Sequence, residues 1–144
     1  MRRLAAAGLL GLLPFGIFAN ACGRAQSTGG PAPVKAENGQ VLTTNRLDID
    51  FSKHLITFIE LGADRCIPCK AMQPIMKEIA EAYADRVQVV FYDVWKDPTP
   101  ARKYEIQLIP TQVFIDQKGN EVFRHVGLFP KEEILALLKK HGVH

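Results

Sequence analysis

Two thiols three positions apart, Cys66 and Cys69, bracket Ile67-Pro68 where an apolar run gives way to an amphipathic one. At the start of a helix such a pair faces a common point, so it can close into a disulfide and reopen, which is thiol-disulfide exchange. Cys66 falls in the first, uncapped turn, where free backbone N–H groups and the positive end of the helix dipole favour a thiolate. It is the candidate nucleophile. Cys69 lies one turn deeper and is the candidate resolving thiol, suited to attack a mixed disulfide formed at Cys66. Ile67 and Pro68 carry no charge, and a proline in a first helical turn gives up only an N–H that has no intrahelical acceptor. Exchange of this kind needs no cofactor.

Other chemistries fit the pattern less well. A metal-binding module for copper or zinc is the alternative class, but a closed zinc site takes about four ligands and only two stand near each other. His54, His125, His141 and His144 have no motif spacing to the cysteines. Met72 and Met76 fall on a helical stripe and read as core. A purely structural bridge over so short a loop would remove little unfolded-state entropy. Lys70 reads as a surface charge, and no basic cluster points to nucleic acid.

The elements that must position the thiols alternate. Residues 55–61 read as a strand, and residues 68–83 carry Met72, Ile75, Met76, Ile79, Ala80 and Tyr83 at helical spacing. Residues 87–94 form a second strand by β-branched and aromatic content, and Pro98 and Pro100 open a short helix over 99–106. Residues 111–115 and 121–126 form a hairpin across Asp116-Gln117-Lys118-Gly119-Asn120. Pro130 starts a final helix with Ile134, Leu135, Leu137 and Leu138 on its apolar face. The order βαβαββα predicts an α/β fold, a central mixed sheet with helices on both faces.

Ahead of this domain, Arg2 and Arg3 precede an apolar stretch over residues 4–18 that ends in Ala19-Asn20-Ala21, a small-x-small cleavage pattern. Residues 1–21 therefore read as a secretory signal; Pro14 and three glycines make the run a poor membrane span of roughly 20 residues. Cys22 then resembles the lipidated cysteine of bacterial lipoproteins, with Ala19 where such signals usually carry Leu. Ordinary cleavage leaving a free thiol is the alternative. Residues 22–40 are Gly, Ser, Ala and Pro with scattered charge, a flexible tether. Loss of Arg2 and Arg3 leaves the chain near neutral. Residues 41–144 suffice for one modest core and no dedicated dimerisation module, so a monomer is expected.

Residues 55–143 resemble the thioredoxin fold family at four further places. Glu60 stands six residues before Cys66, where the family keeps a buried acid, usually Asp. Pro74 stands five residues after Cys69, at the family's helix-kinking proline. Ile109-Pro110-Thr111 matches the loop whose proline is cis and faces the disulfide, and Gly127 matches the glycine that lets the chain pass close to the site. The resemblance implies that Glu60, Cys66, Cys69 and Pro110 carry the chemistry, while Ile67, Pro68, Ile109 and Gly127 contact substrate. A buried Glu60 should have a raised pKa and could exchange a proton with Cys69, directly or through water; a solvent-facing strand end is its other reading. A cis Pro110 would offer the Ile109 backbone to an extended substrate segment.

The match departs from the family at Arg65, where thioredoxins usually carry Trp, and at Ile67, where they carry Gly. Arg65 should favour a Cys66 thiolate and a somewhat more oxidising pair. The resemblance implies an exported, periplasmic or membrane-tethered disulfide reductase acting on protein thiols and disulfides, re-reduced by a membrane thiol transporter. An oxidase or isomerase would use the same residues at another potential.

Overall fold

The computed structural model describes residues 39–144; the expected signal at 1–21, Cys22 and the tether up to residue 38 lie outside the described residues. The elements are β1 (Val41–Thr43), a 3-10 turn at Phe51–Lys53, β2 (Ile56–Gly62), α1 (Ile67–Ala82), β3 (Val87–Asp93), α2 (Thr99–Lys103), β4 (Thr111–Asp116), β5 (Glu121–Val126) and α3 (Lys131–Lys140). They form one mixed sheet in the order β1-β3-β2-β4-β5, with β1, β3 and β2 parallel and β4 and β5 antiparallel to their neighbours. This is the expected thioredoxin fold.

Strand β2 occupies the middle of the sheet and is buried along its whole length. A strand buried on both faces reads as a near-continuous apolar run, which is what Ile56-Thr57-Phe58-Ile59 and Val87-Gln88-Val89-Val90 present. Alternation assigns the faces. Ile56, Phe58, Val87, Val89, Phe91 and Phe114 pack under α1 and α3, against Met72, Met76, Ile79, Ile134 and Leu138. Ile59, Leu61, Val90, Tyr92, Val113 and Ile115 pack on the opposite side with Ile49, Phe51, Ala101, Tyr104 and Ile106. Met72 and Met76 are core, as the stripe implied. Asp116 closes the β4–β5 turn by accepting from the N–H groups of Lys118 at 2.9 Å and Asn120 at 2.8 Å.

Two expectations need correction. The sheet has a fifth strand, β1, three residues long and paired with β3, so the first strand read from the sequence is the second. Helix α2 stops at Lys103 instead of running to Ile106. There Glu105 turns left-handed with φ 52°, and the N–H groups of Glu105 and Ile106 close on the carbonyls of Arg102 and Ala101. This is a Schellman ending without its usual glycine. Helix α3 ends in the same way but with Gly142 at that position, φ 85°.

Candidate active site

The central strand delivers the thiols. Chain leaving Gly62 at the end of β2 crosses Ala63-Asp64-Arg65 and enters α1 at once, with Cys66 as the N-cap residue in extended conformation. The first turn is not uncapped as expected, because the Cys66 sulfur itself accepts the Cys69 N–H at 3.4 Å. Cys66 and Cys69 are joined in a disulfide with their Cα atoms 5.2 Å apart. Cys66 is 7% exposed and Cys69 is fully buried, so both cysteines are covered and Cys66 the less completely. Pro68 sits in the first turn and Pro74 within the helix, where it deprives the Lys70 carbonyl of its usual partner.

Register brings the remaining residues to the same place. Leu61 pairs with Thr111, so the chain just before β4 lies beside the end of β2; Thr111 pairs with Val126, so Gly127 lies beside that same chain. The Ile109-Pro110 bond is cis, as the resemblance implied. Ile109 packs against Cys66 and Cys69. The Gly127 N–H donates to the Pro110 carbonyl at 2.8 Å, with φ of 100° at Gly127. Ile67, next to Cys66 in the chain, is an exposed apolar side chain at 82%, and so are Leu108, Val126 and Leu128 on the segments that flank Pro110 and Gly127.

Glu60 and Gly62 share the α1 face of β2, one pleat or roughly 7 Å apart along the strand. A methyl group built on Gly62 would meet the Cys69 Cβ at 3.1 Å, its Sγ at 3.2 Å and the Phe91 ring at 3.1 Å. Only the bare glycine backbone lets the buried thiol sit against the central strand. Glu60 is buried, not solvent-facing, and burial pushes its carboxyl up to about 8, opposed by one hydrogen bond from the Gln112 amide.

Three residues of the site escaped the sequence. Gln112, opposite Glu60 in the β2–β4 register, donates from Nε2 to Glu60 Oε2 at 2.9 Å and to the Gly127 carbonyl at 3.0 Å. Its signal was a polar residue in an apolar strand facing another such residue. Asp93, at the end of β3, accepts from the N–H groups of Asp64 at 3.2 Å, Trp95 at 3.1 Å and Lys96 at 3.2 Å. Burial alone would raise its pKa, but these donors and the Lys96 ammonium hold the carboxyl below its ordinary value. Trp95, thirty positions from Arg65, lines with it a surface cavity of about 360 Å³ together with Asp64, Asp93 and Lys96. The chain thus places a tryptophan near the position where Arg65 replaces one.

Comparisons with known proteins agree with this geometry. The thioredoxin family model matches residues 39–140. A thioredoxin of Staphylococcus aureus is 33% identical over 97 residues, 65% of this chain and 92% of its own. Among solved structures, a thioredoxin of Nicotiana alata superposes with TM-score 0.63 at 30% identity, over 75% of this chain and 97% of its own. A mutant thioredoxin of Halobacterium salinarum gives TM-score 0.65 at 23% identity, over 75% and 96%. The chain belongs to the thioredoxin family, and its Cys66–Cys69 pair makes it a thiol-disulfide oxidoreductase.

Proposed function

We propose that the protein is an exported disulfide reductase that acts on cysteines of other exported proteins. The observation that carries the direction of attack is the unequal burial of the two cysteines, Cys66 at 7% exposure beside the exposed Ile67 and Cys69 fully buried. In the reduced protein the Cys69 N–H and the α1 N-terminus face the Cys66 sulfur and favour its thiolate. Cys66 attacks a substrate disulfide and one substrate sulfur leaves as a thiolate. Cys69 then attacks Cys66, the mixed disulfide breaks, and the second substrate sulfur leaves; two electrons have passed to the substrate. Glu60 takes the Cys69 proton in that second step.

An extended peptide is the substrate shape that fits, its backbone paired with Ile109 beside Pro110 and its side chains on Ile67, Leu108 and Leu128. Export rests on the signal pattern of residues 1–21, and tethering on Cys22. Outside the cytoplasm the oxidised pair would be reduced by a membrane thiol transporter.

The test has two arms. The reduction potential of the pair, measured against a thiol buffer, should lie near or below about −270 mV; a value near −120 mV would make the protein an oxidant and reverse the direction. A Cys69→Ala variant should trap mixed disulfides through Cys66. Trapping through Cys69 in Cys66→Ala instead would overturn the assignment of the two thiols.

A further inference from the structure

We propose that Gln112 is a positioning residue of the thiol chemistry: its side-chain amide assigns the two oxygens of the buried Glu60 carboxyl different tasks and anchors that carboxyl to the turn beside Pro110. The inference rests on the reading that Glu60 exchanges a proton with Cys69.

The geometry fixes the amide. Gln112 and Glu60 are both fully buried and directly opposite in register. Gln112 Nε2 lies 3.0 Å from the Gly127 carbonyl, which can only accept, so the nitrogen end of the amide must face Gly127. The second N–H of the same nitrogen then meets Glu60 Oε2 at 2.9 Å. Oε2 is thereby held as an acceptor whether or not the carboxyl is protonated. The exchangeable proton belongs on Oε1, which is buried and has no partner among the described residues. Gly127 in turn donates to the Pro110 carbonyl, so a continuous chain of hydrogen bonds runs from the acid to the cis-proline loop.

Stability does not explain this amide. Gln112 Oε1 is itself buried without a partner among the described residues, a cost that an apolar residue on β4 would avoid. The surroundings of Glu60 leave Gln112 as the group that can orient it. On the shared face β3 presents Phe91 at the paired position, and beyond it Asp93, whose carboxyl is taken up by loop N–H groups. Helix α1 sets Cys69 against Gly62, the next residue of β2 on that face, and the core on the same side is otherwise apolar, with Met72 and Phe129 among its members.

In the resolving step the Cys69 proton is relayed through water to Glu60 Oε1, which has no hydrogen-bond partner among the described residues, the Cys69 sulfur bonds to Cys66, and the Cys66–substrate bond breaks. The electron pair leaves with the substrate sulfur, which takes a proton from solvent. Losing the Gln112 donor removes the hydrogen bond that favours the carboxylate, so Glu60 should titrate about one unit higher or more.

The experiment is stopped-flow reaction of the reduced full chain with Ellman's reagent from pH 5 to 10. The first nitrothiobenzoate released reports attack by Cys66 and the second reports resolution by Cys69. In the wild type the second phase should show an inflection near pH 8. In Gln112→Met, with Gln112→Leu as a second apolar replacement, that inflection should move up by about one unit and the second phase at pH 7 should slow about tenfold. The first phase should not change. Glu60→Gln should abolish the inflection, and Gln112→Met added to it should alter nothing further. An unmoved inflection in both Gln112 variants, or equal slowing of both phases at every pH, overturns the inference while leaving Glu60 its role. An inflection that survives Glu60→Gln overturns the proton role of Glu60, and the inference with it.

Discussion

Replacing Glu60 with Gln should remove a large loss of stability that the wild type suffers as pH rises. The glutamine keeps the shape of the side chain and an oxygen that can accept from Gln112. Burial raises the native carboxyl from an ordinary 4.5 to about 8. A carboxyl raised in this way contributes its full stability below its unfolded value and loses it as pH climbs through the folded value, because only the unfolded chain can ionise freely in between. The span is about three and a half pH units, and each unit is about 1.4 kcal/mol, so the wild type should lose about 5 kcal/mol relative to the variant by pH 9. About 3 kcal/mol of that should be gone at pH 7. Urea unfolding of the oxidised protein, wild type against Glu60→Gln, measures it directly, and with a slope of about 1–3 kcal/mol per molar the midpoints should part by roughly 2 M or more at the alkaline end. The two curves of stability against pH should meet below pH 5 and diverge above it. Curves that stay parallel from pH 5 to 9 would refute the argument, because Glu60 would then titrate alike in the folded and unfolded chains.

Two further substitutions test the backbone reading. Glu105→Gly should raise stability by about 0.5–1 kcal/mol, since the left-handed residue that ends α2 would gain the conformation glycine adopts without penalty; an unchanged or lower urea midpoint counts against it. Gly62→Ala should lower stability by about 1–2 kcal/mol, the methyl group crowding Cys69 and Phe91 by more than the loss of glycine flexibility returns. A midpoint equal to or above the wild type would mean that α1 can shift away from β2 at little cost.

The thiol pair, the order of the long elements and the cis-proline loop were legible because each leaves a local mark: a spacing, a period or a short motif. Strand β1 left none, since three residues carry no period and their reason for being extended is β3, nearly fifty positions away. Helix α2 looked longer because its end is marked by Glu105, and a glutamate in a left-handed position does not advertise a stop. The same motif at Gly142 does. Within the site, Glu60 was visible through resemblance and Gln112 was not, although the two form one unit. Their pairing is a matter of strand register, and a linear sequence does not state register. Trp95 is thirty positions from Arg65 in the chain, a distance that the parallel β2–β3 pairing cancels by ending both strands at the same edge.

Asp93 joins two loops by their main chain: the N–H groups of Asp64, Trp95 and Lys96 all reach its carboxylate, and no side chain of those positions is needed for these bonds. These main-chain bonds do not depend on the side chains at 64, 65 and 95, which line the cavity beside Cys66, while the Lys96 ammonium adds an ion pair to the same carboxylate at 3.3 Å. Substitution at 64, 65 or 95 would therefore reshape that cavity while leaving the N–H groups that hold Asp93 in place.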